Sequence, residues 1–137
     1  MKSLFSFAET TRGITVRVSV SFLPEQSDPA KGRWFWAYHI RVENEGQMAA
    51  QLMRRRWEIT DGRGAKSVVE GDGVVGDQPV VMPGGSYDYV SGCPLSTPSG
   101  HMVGSFGMIA EDGSGFDVAI PKFLLNAPIT ARTSKGR

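Results

Sequence analysis

Apolar residues recur at every second position over most of this chain. Ile14, Val16, Val18, Val20 and Phe22 alternate with Thr15, Arg17, Ser19 and Ser21. A period of two places the apolar set on one face of a β-strand. The following LPEQSDPAKGR holds Pro24, Pro29 and Gly32 among polar residues and predicts an exposed loop. Alternation returns at Trp34, Trp36, Tyr38, Ile40 and Val42 and stops at the Asn44-Glu45-Gly46 turn. Met48 to Asp61 predicts a further strand, with Met53, Arg55, Trp57 and Ile59 on one side. Leu52, Arg54, Arg56, Glu58 and Thr60 fall on the other, before the turn at Asp61-Gly62-Arg63-Gly64.

Short apolar runs separated by glycine and proline fill the next stretch, Gly71 to Met108, where such density describes strands joined by tight turns. Strands are predicted at Lys66 to Glu70, Gln78 to Met82, Ser86 to Val90 and His101 to Ala110. The proline at position 79 assigns the second of these to a sheet edge. Phe116, Val118 and Ile120 begin the last strand, which Phe123, Leu124 and Leu125 extend or cap. The domain is expected over 1–127, with 128–137 a flexible polar and basic tail.

Seven to nine short strands without a helix predict an all-β fold, an antiparallel β-sandwich, with a small barrel as the structural alternative. Trp34, Trp36, Tyr38, Trp57 and Phe106 are expected between the sheets.

Composition narrows the function classes. The chain has 137 residues, enough for one domain with a real core, and 40% of them are apolar against 21% charged. A formal net charge of +1 gives no global attraction to polyanions, so no nucleic acid is expected as a partner. No apolar run approaches the roughly 20 residues of a membrane helix, so no membrane insertion is expected. Glu9 and Arg12 interrupt the apolar start before a signal sequence could develop. One cysteine, Cys93, rules out an intrachain disulfide, and a cytoplasmic location is the simplest reading.

Candidate chemistry is sparse. Gly71-Asp72-Gly73-Val74-Val75-Gly76 matches the dinucleotide pattern GxGxxG, but that motif needs a helix after the third glycine. Here Pro79 and Pro83 leave no room for one. An anion nest built from the backbone of Gly71, Gly73 and Gly76 needs no helix, and Arg54 and Arg56, on one strand face, could supply charge to it. Asp72 and Asp77 oppose an anion unless Mg²⁺ lies between, and a purely structural loop is the plainer reading. His39 and His101 have no ligand-spaced partner. SGCPLSTPSG reads as a turn that exposes Cys93, with no base beside its hydroxyls. No catalytic residue, metal site or cofactor is expected.

Longer motifs carry a resemblance. RRRWEITDGRG, VEGDGVVGDQPVVMPGGSYDYVSGCPLSTPSGHMVGSFGM and FDVAIPKF, with FLPEQSDP and YHIRVEN before them, resemble the bacterial ApaG family over nearly the whole chain. The resemblance implies a fibronectin type III/immunoglobulin-like sandwich without an established reaction. It also implies an association with cobalt resistance and magnesium efflux (the CorD name), and protein binding in related domains. From it follow two expectations: an unknown protein partner, with a homodimer available at the same edge, or pyrophosphate or a dinucleotide held by the Gly71 to Gly76 loop.

Overall fold

In a computed structural model, which describes residues 5–132, nine strands form two antiparallel sheets. The strands are β1 (Phe7–Thr11), β2 (Ile14–Phe22), β3 (Trp34–Asn44), β4 (Ala50–Asp61), β5 (Lys66–Asp72), β6 (Val80–Val81), β7 (Ser86–Leu95), β8 (Ser99–Ala110) and β9 (Gly115–Asn126). One sheet has the order β1-β2-β3-β7; the other runs β5-β4-β8-β9, with β6 also paired to β4. The antiparallel sandwich is therefore borne out, and closure into a barrel is not.

The alternating residues build the core as the period of two requires. Val16, Val18, Trp36, Ile40 and Val42 from one sheet face Leu52, Phe106, Met108, Val118, Ile120 and Phe123 from the other, all at most 1% exposed. Tyr38, Trp57 and Phe123 meet at its centre with ring centroids 5.4–5.8 Å apart, two of the three contacts edge-on. Such geometry sets positive ring edges against negative faces.

Three local expectations are corrected. Residues 50–61 do not keep one alternation: a bulge between Leu52 and Arg54 inserts Met53, and Leu52 and Trp57 consequently both turn inward. Gln78 to Met82 shortens to Val80–Val81, because Pro79 has no N–H to give a ladder. The supposed turn SGCPLSTPSG is mostly strand: β7 runs on to Leu95 and β8 starts at Ser99. Cys93 is consequently 3% exposed, and burial pushes its thiol up to about 11.

Phe7–Thr11, which lacks apolar alternation, still becomes a strand because a two-residue turn at Arg12-Gly13 folds it back on β2. At the other terminus Ile129–Ala131 form one 3-10 turn, tied down where Trp34 Nε1 donates to the Ala131 carbonyl. The remainder of the expected tail, 133–137, lies outside the described residues.

Candidate functional site

Pairing of β4 with β5 places Arg54 opposite Asp72, Arg55 opposite Gly71 and Arg56 opposite Glu70. Strand alternation sends Arg54 and Arg56 to the outer sheet face and Arg55 to the inner one. Arg56 spends its charge locally, 2.6 Å from Glu58 Oε2 and 3.2 Å from Glu70 Oε2. Its guanidinium holds the Glu58 carboxyl below its ordinary range. Arg54 has no ion pair among the described residues, and Asp117 lies with it along a shallow outer groove.

Past Asp72 the chain leaves the ladder in a tight hairpin. Gly73 N–H donates to the Met53 carbonyl at 2.8 Å, and Val74 and Asp77 exchange N–H to carbonyl bonds of 2.8 and 2.9 Å. Val75 (φ 48°) and Gly76 (φ 83°) form the two-residue tip. Both central residues at positive φ describe a type I′ turn, which asparagine and glycine fill more readily than a β-branched side chain. Val74 is wholly buried and plugs the loop into the core. Tyr87 Oη donates to Asp77 Oδ2 at 3.0 Å, tying the loop to β7.

The loop therefore satisfies much of its own backbone. The N–H groups of Gly73, Val74 and Asp77 all point at protein carbonyls, and Arg55 Nη1 donates to the carbonyls of Asp72 and Gly73 at 3.0 Å each. Gly71 and the Gly73 carbonyl lie beside Arg55, while the Arg56 guanidinium is engaged by its two glutamates; a Cβ on Gly76 would meet nothing within 4 Å.

A second feature, not singled out from the sequence, is the outer edge of β5. Ala65 and Gly73, which flank the strand, are hydrogen-bonded to Asp61 and Met53 of β4. Antiparallel pairs alternate between bonded and non-bonded, so Ser67, Val69 and Gly71 turn their backbone groups toward β4. Those of Lys66, Val68, Glu70 and Asp72 face outward. Every residue of the strand except Gly71 is exposed, with Val68 at 54% and Val69 at 42%.

The other edges are guarded. Pro94 lies in β7 and Pro121 in β9, while β6 is flanked by Pro79 and Pro83. The β1 edge leans on β9, where Thr11 Oγ1 accepts a bond from the Ala119 N–H at 3.2 Å. Proline, covering contacts and short length are among the usual means of blunting an edge, and β5 has none of them; its charges, Lys66, Glu70 and Asp72, sit at its two ends. The sequence signal was available as seven residues without proline, bounded by Lys66 and Asp72.

Among the described residues no helix is long and apolar enough to cross a membrane, and no group of three or more His, Cys, Asp or Glu could hold a metal ion. His39 Nε2 lies 2.8 Å from Asp88 Oδ1, which accounts for one of the two histidines. His101 is kept below its ordinary pKa by partial burial and by Lys122 and Lys66.

The ApaG domain model matches residues 24–110. A Rhodospirillum centenum protein named ApaG is 50% identical over 122 residues, covering 89% of this chain and 94% of its own. An ApaG protein of Afipia carboxidovorans is 51% identical over 127 residues, 93% of this chain and 98% of its own. A crystal structure of a Bordetella pertussis protein described as ApaA superposes with a TM-score of 0.82 at 45% identity, over 85% of this chain and 95% of the other.

Proposed function

The chain belongs to the ApaG family, and from its edge geometry we propose that it is a non-catalytic interaction module that receives an extended strand of a protein partner on β5. The observation that carries this reading is an edge free of proline and of covering contacts. Three residues, Lys66, Val68 and Glu70, offer outward N–H and carbonyl groups in register for an antiparallel strand, while the Asp72 carbonyl is already engaged by Arg55. Exposed Val68 supplies an apolar contact, while Lys66 at one end and Glu70 and Asp72 at the other give the edge a direction. In this reading the module works in the cytoplasm, and any connection with cobalt or magnesium handling is exercised through the docked partner.

The edge also complements itself. Two copies of β5 related by a dyad at Val69 bring Lys66 opposite Asp72 and Val68 opposite Glu70, with the outward-facing backbone groups of Val68 and Glu70 matched. A homodimer is therefore the second occupant that this edge admits, in competition with a partner strand.

Affinity capture from the producing cell tests the proposal, comparing the wild type with Val68→Pro. Proline at this position removes an outward donor and leaves the bonds to β4 intact. The expected result is a defined protein recovered by the wild type and lost with Val68→Pro, at unchanged melting temperature. Recovery of the same protein by both variants contradicts docking on β5. The mass of the purified chain in solution, measured over a concentration series, separates self-pairing from binding of a different protein.

A further inference from the structure

At the end of the sandwich where β2, β4, β7 and β9 finish, the connecting loops enclose a cleft of about 520 Å3. That volume falls within the roughly 300–1,000 Å3 of small-molecule sites. Arg63 from the β4–β5 turn and Arg132 from the C-terminal turn line it, together with Ser96, Thr97 and Ser99 around the β7–β8 turn and Trp34. No carboxylate is among the lining residues.

Its cations have no acidic partner among the described residues. Arg17, Arg41 and Arg56 each pair with a glutamate, whereas neither Arg63 nor Arg132 has a carboxylate within 4.0 Å among the described residues. Asp61, the acid nearest to Arg63 in sequence, has its Oδ1 occupied by the backbone N–H groups of Arg63 and Ala65 at 2.8 and 3.0 Å. Arg132 gives Nε to the Ala127 carbonyl at 2.7 Å, which leaves the Nη end of its fork free. The hydroxyls of Ser96 and Ser99 have no hydrogen-bond partner among the described residues.

The walls are held in place by groups other than those left free. Thr97, 5% exposed, accepts a bond from Gly62 N–H at 2.8 Å and donates to the Ser99 carbonyl at 2.7 Å, locking the β4–β5 turn to the β7–β8 turn. Trp34 Nε1 binds the Ala131 carbonyl and so positions the turn that carries Arg132. The arrangement thus has fixed walls, the free guanidinium of Arg63, the free Nη end of Arg132 and two free hydroxyls. Arginine presents N–H groups in a planar fork that matches a tetrahedral oxyanion, and a hydroxyl donates to the same oxygens.

We propose that this cleft binds the phosphoryl oxyanion of a small phosphorylated molecule, with Arg63 and Arg132 on its oxygens and Ser96 and Ser99 as additional donors. The site is separate from the Gly71–Gly76 hairpin and from the β5 edge, and it does not depend on partner docking.

Inorganic phosphate and pyrophosphate, each titrated into isotope-labelled protein at constant ionic strength with chloride as the control, test the proposal. Saturable amide shifts are expected at Gly62, Arg63 and Ser96 to Ser99, with a shift of the Arg132 side-chain Nε–H. Arg63→Gln and Arg132→Gln should each weaken binding roughly tenfold, the size of one charge-assisted contact. Arg56→Gln, on the outer sheet face, should leave it unchanged. Shifts that chloride reproduces, shifts centred on 73–78, or an affinity unaltered by Arg63→Gln would each overturn the proposal. The exposed Arg63 can be substituted without touching the core, so the test survives if Arg132→Gln loosens the terminal turn.

Discussion

Arg55 stands opposite Gly71 across the β4–β5 ladder and reaches past the missing side chain to donate to the carbonyls of Asp72 and Gly73, 3.0 Å from each. A Cβ on Gly71 would lie 2.9 Å from that guanidinium, the far end of a flexible side chain. A Cβ on Gly73 would lie 2.1 Å from the Asp77 backbone oxygen, at a φ of 62° that side chains rarely adopt. Gly71→Ala should therefore cost less than about 1 kcal/mol and Gly73→Ala more than about 2 kcal/mol. Denaturant unfolding of both variants checks the order; equal losses would contradict it. The glycine at 73 is thus a poor probe of anion binding, as is Gly76 at φ 83°, and Gly71, which meets only a flexible side-chain end, is the better position.

Val75 offers the opposite case. It is a β-branched residue at φ 48° on an exposed hairpin tip, where strain of this kind costs on the order of 1 kcal/mol. Val75→Asn should raise the unfolding free energy by about 1 kcal/mol at unchanged denaturant slope. A destabilised variant would mean that the valine side chain makes a contact the free chain needs.

Two tyrosines on β7 separate a bonded hydroxyl from an orphaned one. Tyr89 Oη is buried with no hydrogen-bond partner, whereas Tyr87 Oη donates to Asp77. Removing an unsatisfied polar group relieves its desolvation penalty, so Tyr89→Phe should stabilise the fold by up to about 1–2 kcal/mol. Tyr87→Phe should lower stability by roughly 0.5–1 kcal/mol. Thermal unfolding of the pair reads the difference in sign, and a loss in Tyr89→Phe would point to a bound water on the hydroxyl.

Burial of Cys93 sets a pH dependence on the alkaline side. Its pKa moves up from the ordinary 9.0 to about 11, so in that interval the folded chain keeps a proton that the unfolded chain has lost. Stability is consequently present in full below about pH 9 and falls as pH rises towards 11. Buried Tyr38 and Tyr89, both raised chiefly by burial, add to the same slope. Cys93→Ala should show a shallower fall between pH 9 and 11 than the wild type, and equal slopes would contradict the assignment.

The fold was legible wherever side chains alternate over a long run. Ile14–Phe22 matches the expected strand residue for residue, and the five aromatics assigned to the interior are all buried. What escaped was set by backbone and tertiary context. The bulge at Met53 changes phase within one strand, and β1 is recruited by a turn rather than by its own pattern. Cys93 is buried because β7 pairs with β3 through Leu95, a pairing that the local Gly-Cys-Pro sequence conceals. The pattern GxGxxG concealed a hairpin turn whose first residue, Val74, is a core residue. The open edge of β5 and the Arg63–Arg132 cleft depend on which strands and loops meet, which spacing along the chain does not encode.

Photocrosslinking in the producing cell tests the docking of a strand on β5 most directly. A photoreactive residue at position 68 reports on the proposed edge, and one at 124, on the outer face of β9, serves as a control of similar exposure: 54% for Val68 and 50% for Leu124. A crosslinked species of defined mass at position 68, absent at 124 and abolished when Glu70 and Asp72 are both changed to Lys, is the predicted result. No product at 68, or the same products at both positions, would contradict strand docking on β5.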